Sequence, residues 1–240
     1  MPTLTAGLQR EIVDLVLPTR CAACHDRGAA VCRGCAALVR ADCFVGGARR
    51  VKPSPVPAGM PETWATAPLD GVLRRLLTSH KDDGRRDLAP VLGRLLAEAI
   101  RAAGANAGPA LVLVPVPSSR RSRRTRGDRP LEGMALAAAA HLPGEVRVVR
   151  LLRSVRRVHD QSGLDHRQRR VNVEHSMMAI DLDRVGGLRG SRVVLVDDIV
   201  TTGATLVEAA RALQAVGLEA RAAVVAATPR RPVVAQRFPD

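Results

Sequence analysis

The fold of this chain is set by Val193-Val194-Leu195-Val196-Asp197-Asp198-Ile199-Val200-Thr201-Thr202-Gly203-Ala204-Thr205. The four apolar residues 193–196 predict a short buried strand. Apolar residues at helical spacing follow over residues 206–213, and Gly217 is placed to close that helix. Residues 220–227 predict a further apolar strand. A strand, a helix and a second strand in this order form a βαβ unit, so the sequence predicts an α/β fold with a parallel sheet and flanking helices.

Two carboxylates and a Thr/Gly turn come directly after the predicted strand at residues 193–196. Ligands of open parallel sheets bind at the carboxyl ends of the strands, which is where Asp197 and Asp198 would lie. The turn at residues 201–205 offers three hydroxyls, a glycine that permits close backbone approach, and free N–H groups at a helix start. Alternatively, the aspartates cap the helix or face solvent and Thr201 is an ordinary N-cap. The combination favours a phosphate-binding site.

These thirteen residues resemble the phosphoribosyl pyrophosphate motif of type I phosphoribosyltransferases. The resemblance implies that Asp197 and Asp198 hold the ribose hydroxyls, and that the 5′-phosphate is enclosed by Thr201, Thr202, Gly203, Ala204 and Thr205. It also implies Mg²⁺ held by ligand oxygens and water rather than by dedicated protein ligands. Direct binding of Mg²⁺ by one aspartate is the alternative.

A second predicted strand, residues 111–116, runs into Pro117-Ser118-Ser119 and then a basic loop. Ser118 and Ser119 look like the pyrophosphate loop of the same fold. An arginine-rich loop suits a cover over an anionic ligand, with a catalytic role expected for Arg126, although a solvated charged loop is the alternative for most of its arginines. These arginines are Arg120, Arg121, Arg123, Arg124, Arg126 and Arg129.

Two amphipathic helices are predicted upstream, over residues 69–77 and 88–99, with a turn at Gly84. Lys81 resembles the lysine that ends the corresponding helix in one subgroup of these proteins, and it is a candidate catalytic residue together with Asp197, Asp198 and Arg126. An ion pair of Lys81 with Asp82 or Asp83 is the alternative to a phosphate contact. Arg169 and Asn172 resemble a further Arg-x-x-Asn pair of that subgroup.

The N-terminal part contains two Cys-x2-Cys pairs, Cys21 with Cys24 and Cys32 with Cys35, separated by seven residues. Four thiolates at this spacing match a structural tetrahedral Zn²⁺ site, and they leave no coordination position open for catalysis. A reduced metal-free cluster or disulfides are the alternatives. Cys43 is expected to be a small apolar filler or a surface thiol.

Four prolines within residues 51–61 predict an extended connection. We therefore predict a four-cysteine zinc-binding, zinc-ribbon-like head at residues 1–50, a Pro-rich linker at 51–65, and a phosphoribosyltransferase domain at 66–240.

The order of these features along the chain resembles the ComF/GntX family. The resemblance implies a link to DNA uptake in natural transformation. The chain departs from the family pattern in having only Cys43 for a second downstream cysteine pair, and Asp128 where an aromatic follows the Arg-Gly motif.

Thirty-seven basic and twenty-three acidic residues give a net charge of +14, which favours polyanionic ligands. Residues 1–18 do not have the pattern of a signal peptide, and no uncharged apolar run is long enough to span a bilayer. A cytoplasmic protein without membrane insertion is expected.

Two main hypotheses follow for function. The first is an enzyme that moves a phosphoribosyl group from its pyrophosphate to a base or amine, and no sequence segment specifies that acceptor or an oligomeric state. The second is an accessory protein that binds single-stranded DNA, or other competence proteins, through its arginine loops; one Trp, two Phe and no Tyr offer little base stacking for it. A regulator that senses the phosphoribosyl ligand would use the same residues.

Overall fold

The computed structural model describes residues 19–105, 110–117, 129–155, 175–186, 188 and 190–228. Within them lie a six-stranded sheet, a two-stranded sheet and five α-helices. The fold is α/β with a mostly parallel sheet, which confirms the predicted class. The strands are β1 Arg49–Val51, β2 Thr63–Pro68, β3 Leu111–Pro115, β4 Val146–Val148, β5 Leu152–Ser154, β6 Met177–Ala179, β7 Arg192–Val200 and β8 Ala220–Ala227. The helices are α1 Arg33–Asp42, α2 Gly71–Lys81, α3 Ala89–Ile100, α4 Pro130–Ala139 and α5 Ala204–Gln214.

The main sheet has the strand order β1-β2-β8-β7-β3-β4. All neighbouring pairs are parallel except β1 with β2. The central strand β7 pairs with β3 from Leu111↔Arg192 to Pro115↔Val196, and with β8 as far as Val200↔Ala227. The carboxyl ends of five parallel strands therefore share one edge, which we call the carboxyl edge.

Strand β7 is longer than the sequence predicted. It continues through Asp197 and Asp198 to Val200, so the aspartates lie inside the strand and not after it. The reason is that β8 extends alongside and continues to pair, whereas β3 stops opposite Val196. The apolar Ile199 and Val200 were the sequence signal for this extension.

The helices cover both faces of the sheet. Helices α2, α3 and α4 contribute to one hydrophobic cluster, and α5 contributes to the other. Small residues allow close approach: a Cβ added to Gly93 of α3 would lie 2.6 Å from Ala137 Cβ of α4. The predicted amphipathic helices before β3 are thus confirmed as α2 and α3.

The cysteine head packs directly against the main domain. Cys21 and Cys35 belong to the same buried cluster as Leu73 of α2. The backbone N–H of Phe44 donates to Thr66 O of β2 at 3.0 Å, and β1 pairs with β2. Residues on both sides of the Pro-rich segment therefore contribute to one core. Among the described residues no helix has the length and apolar character needed to cross a membrane.

Candidate functional site

Asp198 and Lys81 meet at the carboxyl edge. Lys81 Nζ lies 3.5 Å from Asp198 Oδ2, with the aspartate side chain largely buried and the lysine half exposed. Helix α2 reaches this point by crossing the edge: it starts next to β8, where Leu69 N donates to Ala227 O at 2.7 Å, and ends at Lys81 beside β7. The negative charge of Asp198 raises the pKa of Lys81, against the opposing effect of burial.

The ion pair of Lys81 differs from the alternative considered from sequence, in which Asp82 or Asp83 was the partner. Those two neighbours lie at the end of α2, and the lysine turns to β7 instead. Sequence reasoning missed this contact because Lys81 and Asp198 are brought together only by the packing of α2 across the sheet edge.

Asp197 has a different environment from its neighbour. Successive residues of a strand project to opposite faces, so the two carboxylates are not equivalent. Asp197 Oδ1 accepts a hydrogen bond from the Asp198 backbone N–H at 2.9 Å. Burial raises the pKa of Asp197 well above its usual range, the charge of Asp198 adds to the rise, and Lys81 partly opposes it. A ligand hydroxyl or cation would compensate the buried charge.

The Thr/Gly loop links β7 to α5. Gly203 is the N-cap of α5 with φ +78°, a left-handed conformation that favours glycine. Thr201 is exposed and is not the N-cap, whereas Thr202 is buried and its Oγ1 accepts from Ala204 N at 3.4 Å. Ala204 is buried and Thr205 half-buried. The start of α5 thus adjoins the strand that carries both aspartates.

The Pro-rich segment packs against this loop, which the sequence did not indicate. A Cβ added to Gly203 would lie 3.0 Å from Met60 Sδ and 3.3 Å from Pro57 Cγ. Pro57 and Met60 therefore contact the predicted phosphate-binding loop. Proline richness indicated only an extended connection, because nothing in its pattern specifies a packing partner.

Several predicted residues lie outside the described part of the chain: Ser118, Ser119, Arg126, Arg169 and Asn172. The strand that leads to the two serines is described. Its end lines an open cleft, together with Leu131 and Leu152. At the cleft Glu132 pairs with two arginines, at 3.2 Å from Arg150 Nε and 3.7 Å from Arg129 Nη1.

The two Cys-x2-Cys pairs converge on one point. The Sγ atoms of Cys21, Cys24, Cys32 and Cys35 all lie within 4.8 Å of one another. Tetrahedral Zn²⁺ with Zn–S bonds of about 2.3 Å requires sulfur atoms about 3.8 Å apart, so the donor set fits this metal. Two backbone N–H groups also point at sulfur, Cys32 N to Cys21 Sγ at 3.4 Å and Cys35 N to Cys32 Sγ at 3.5 Å. These four cysteines can hold a metal ion such as zinc.

Cys43 lies apart from this group and is half-buried. Its thiol donates to Val39 O at 3.2 Å. Burial raises the pKa of the Cys43 thiol, with smaller contributions from Asp42 and Glu98. A protonated, packed thiol agrees with a small apolar filler and not with a reactive surface group.

The fold and this edge define an α/β protein with a candidate phosphate-binding loop at the end of a parallel sheet. Comparison with known proteins gives the class more closely: a family model described as phosphoribosyl transferase domain matches residues 133–237. That range contains β7, the Thr/Gly loop, α5 and β8. This part of the chain is thus similar to phosphoribosyl transferase domains.

An orotate phosphoribosyltransferase from Methanopyrus kandleri is 56% identical to this chain over 41 residues. The aligned part covers 17% of this chain and 22% of that protein. The chain therefore spans about a fifth of the length of the curated relative that it matches.

Proposed function

We propose that the protein binds 5-phosphoribosyl 1-pyrophosphate with Mg²⁺ at the carboxyl edge and transfers the phosphoribosyl group to a base or amine. The observation that carries the proposal is the pairing of Lys81 with Asp198 beside a glycine-started helix. This arrangement puts carboxylates, which accept hydrogen bonds from ribose hydroxyls, next to amide and cationic groups, which bind phosphates. The phosphoribosyltransferase domain match supports the same ligand.

Each residue group has a separate task in this proposal. Asp197 and Asp198 accept hydrogen bonds from the two ribose hydroxyls and fix the sugar ring. Thr201 to Thr205 surround the 5′-phosphate with backbone N–H groups and hydroxyls. Lys81 and Arg126 are the catalytic cations in this proposal, and their role is to stabilise negative charge on the departing pyrophosphate.

The reaction breaks the bond from ribose C1 to pyrophosphate oxygen and forms a bond from C1 to an acceptor nitrogen. The bonding electrons leave with the pyrophosphate, and the acceptor nitrogen supplies the new pair and then loses its proton to solvent. Positive charge that develops on the ribose in the transition state is stabilised by the nearby carboxylates. No general base is required of the protein.

Mg²⁺ would neutralise charge on the pyrophosphate when bound with the ligand. The residues present fit such an ion, because Asp197 is a half-buried carboxylate whose charge has only partial compensation from Lys81, and carboxylate oxygen suits a hard cation. Ligand oxygens and water supply most of the coordination in this proposal.

Calorimetric titration with phosphoribosyl pyrophosphate, with and without Mg²⁺, tests the site. Wild type should bind in an Mg²⁺-dependent manner, and Asp197→Asn/Asp198→Asn should not bind. Glu219→Gln is the matched control, since it removes an exposed carboxylate next to the start of β8, at the opposite end of the sheet. Absence of binding to wild type, or equal binding by the double variant, would contradict the proposal. Pyrophosphate release across a panel of bases then identifies the acceptor.

Single-stranded DNA binding is the second candidate, with the DNA-uptake role that the ComF/GntX resemblance implies and the cytoplasmic location expected from the sequence. Two of the three aromatic residues stand beside arginines: Arg49 lies 3.7 Å from the centre of the Phe44 ring and Arg221 lies 5.7 Å from that of Trp64. Such pairs suit base stacking beside phosphate contacts. Fluorescence anisotropy with a labelled oligonucleotide, repeated over a salt series and with Arg49→Ala, tests this role, and salt-independent or absent binding contradicts it.

A further inference from the structure

Two arginines connect the cysteine head to helix α2. Arg75 Nη1 donates to Ala23 O at 3.2 Å, and Arg85 Nη2 donates to Arg20 O at 2.8 Å. Their acceptors flank Cys21 in the chain. Arg85 is itself fixed by Asp87, with Nη2 to Oδ2 at 2.7 Å. The backbone of the first Cys-x2-Cys pair is therefore bonded to both the middle of α2 and the segment that follows it.

The burial of Cys21 supports the same contact between the cysteine head and α2. Cys21 is fully buried in the hydrophobic cluster that also contains Leu73 and Leu77 of α2. A metal bound by the four sulfurs would fix the backbone of residues 20–23, since Cys21 would be a ligand and its sulfur already accepts from Cys32 N. Without the metal, backbone hydrogen bonds such as Cys21 N to Asp26 O at 2.7 Å and the burial of Cys21 would remain, but the four sulfurs would no longer be held to one another.

Helix α2 carries Lys81 at its last position, 3.5 Å from Asp198. The head and the carboxyl edge thus contact one short helix of 11 residues. A rigid helix transmits a displacement from one end to the other, because its backbone hydrogen bonds keep its length and direction fixed.

We propose that metal occupancy of the four-cysteine head sets the position of Lys81, and that Arg75 and Arg85 are the positioning residues that couple the two. The metal-bound head holds α2 through these arginines, and α2 holds the lysine at Asp198. Loss of the metal loosens α2 and moves Lys81 away from the carboxyl edge. Only the final step, weaker binding of the phosphoribosyl ligand, rests on the proposed function.

The presence of just two lysines, Lys52 and Lys81, makes a direct test available. Reductive methylation with ¹³C-formaldehyde keeps both charges and gives each lysine its own NMR methyl signal. Lys52 is exposed and serves as the internal reference. In the zinc-loaded wild type the Lys81 signal should differ from that of Lys52. After chelation of the zinc, the Lys81 signal should move towards the chemical shift of Lys52.

Arg75→Ala and Arg85→Ala, both zinc-loaded, should shift the Lys81 signal in the same direction as chelation. Arg74→Ala is the matched control on the same helix, because Arg74 Nη2 donates to Leu69 O and not to the head. It should leave the signal unchanged. Affinity for phosphoribosyl pyrophosphate should fall by roughly fivefold or more in the first two variants and stay constant in the control.

A Lys81 signal that stays in its wild-type position in both Arg75→Ala and Arg85→Ala would overturn the coupling. Circular dichroism identifies any sample that has unfolded; where chelation unfolds the chain, the zinc-loaded variants decide the outcome. If wild type does not bind the phosphoribosyl ligand but the Lys81 signal responds as expected, the coupling stands and the proposed function fails.

Discussion

Asp197 is a carboxylate in an environment that disfavours its charge. It lies within β7, half-buried at the carboxyl edge, with the charge of Asp198 next to it. Both effects raise its pKa, and Lys81 offsets them only in part. The residue therefore costs stability in the free protein, which is a common property of groups that act on a ligand.

We expect Asp197→Asn to raise the melting temperature of the ligand-free protein at neutral pH. An amide removes the partly desolvated charge and still accepts a hydrogen bond from Asp198 N. Each kcal/mol gained corresponds to about 2–4 °C for a chain of this size. Because the folded-state pKa is raised, the wild type loses stability as pH increases from the ordinary value of 3.8 through the folded value. The gain from the substitution should therefore grow with pH.

Thermal unfolding over a pH series measures this effect, with Glu219→Gln as the exposed control. The same variant should lose the stabilisation that phosphoribosyl pyrophosphate gives to wild type. A gain in melting temperature that is present only at acid pH would contradict a raised pKa of Asp197.

Gly203→Ala should destabilise the loop for two separable reasons. A left-handed alanine costs about 1–2 kcal/mol, and its Cβ would also meet Met60 Sδ at 3.0 Å. Gly217→Ala is the control for strain alone, since Gly217 has φ +76° with nothing within 4 Å of an added Cβ. Urea unfolding should show a larger loss at Gly203, and Met60→Ala should recover part of it; equal losses at the two glycines would exclude the Met60 contact.

At the scale of elements, an ion pair within α5, between Glu208 and Arg211, binds β6 through hydrogen bonds. Glu208 is buried and accepts from Met177 N at 2.8 Å and from Arg211 Nε at 2.7 Å, while Arg211 Nη2 donates to Met177 O at 2.9 Å. The helix that begins at the Thr/Gly loop thus binds both backbone groups of one β6 residue. These hydrogen bonds act beside the apolar contacts of Leu152 and Met177 in holding the two-stranded sheet of β5 and β6 against the main domain.

Arg211→Met should destabilise the protein by about 3 kcal/mol, because it leaves the Glu208 carboxylate buried without its cation. Arg153→Met on β5 is the exposed control, and urea unfolding is the measurement.

Burial alone would raise the pKa of Glu208, but Arg211 and the Met177 N–H lower it overall. The stability that the Glu208 carboxylate contributes is therefore present above the ordinary pKa of 4.5, and it is lost as pH falls through the lower pKa of the folded state. A pH-independent difference between Arg211→Met and wild type would contradict this assignment.

The elements were predicted well where the pattern was local. Helices α2 and α3 follow apolar spacing, and the βαβ unit of β7, α5 and β8 follows one segment of sequence. Predictions were wrong where pairing decided the structure. Strand β7 runs past its aspartates because β8 continues to pair with it.

At the scale of the whole molecule, the head and the sheet share one core, so metal binding should stabilise the entire chain. Chelation, or Cys24→Ser, should lower the melting temperature of the complete protein in a single transition. Cys43→Ser is the control, because Cys43 lies outside the cluster of four sulfurs. A melting temperature that does not respond to chelation would contradict a structural metal.

Contacts between distant segments could not be predicted from the sequence. The cysteine site was predictable because its ligands and their spacing are local. The pairing of Lys81 with Asp198, and the contact of Met60 with the Gly203 loop, depend on how α2 and the Pro-rich segment cross the sheet. A pattern within one segment does not predict where that segment crosses another.

Trp64 gives the chain an unusual optical property. With one tryptophan and no tyrosine, intrinsic fluorescence at long wavelength comes from a single position near the start of β2. Trp64 lies four residues before Pro68, so about 13 Å of strand separates it from the carboxyl edge. A ligand bound at that edge does not touch the indole. Any change in emission upon binding would therefore measure how far the sheet itself deforms, and an unchanged spectrum would indicate a rigid support.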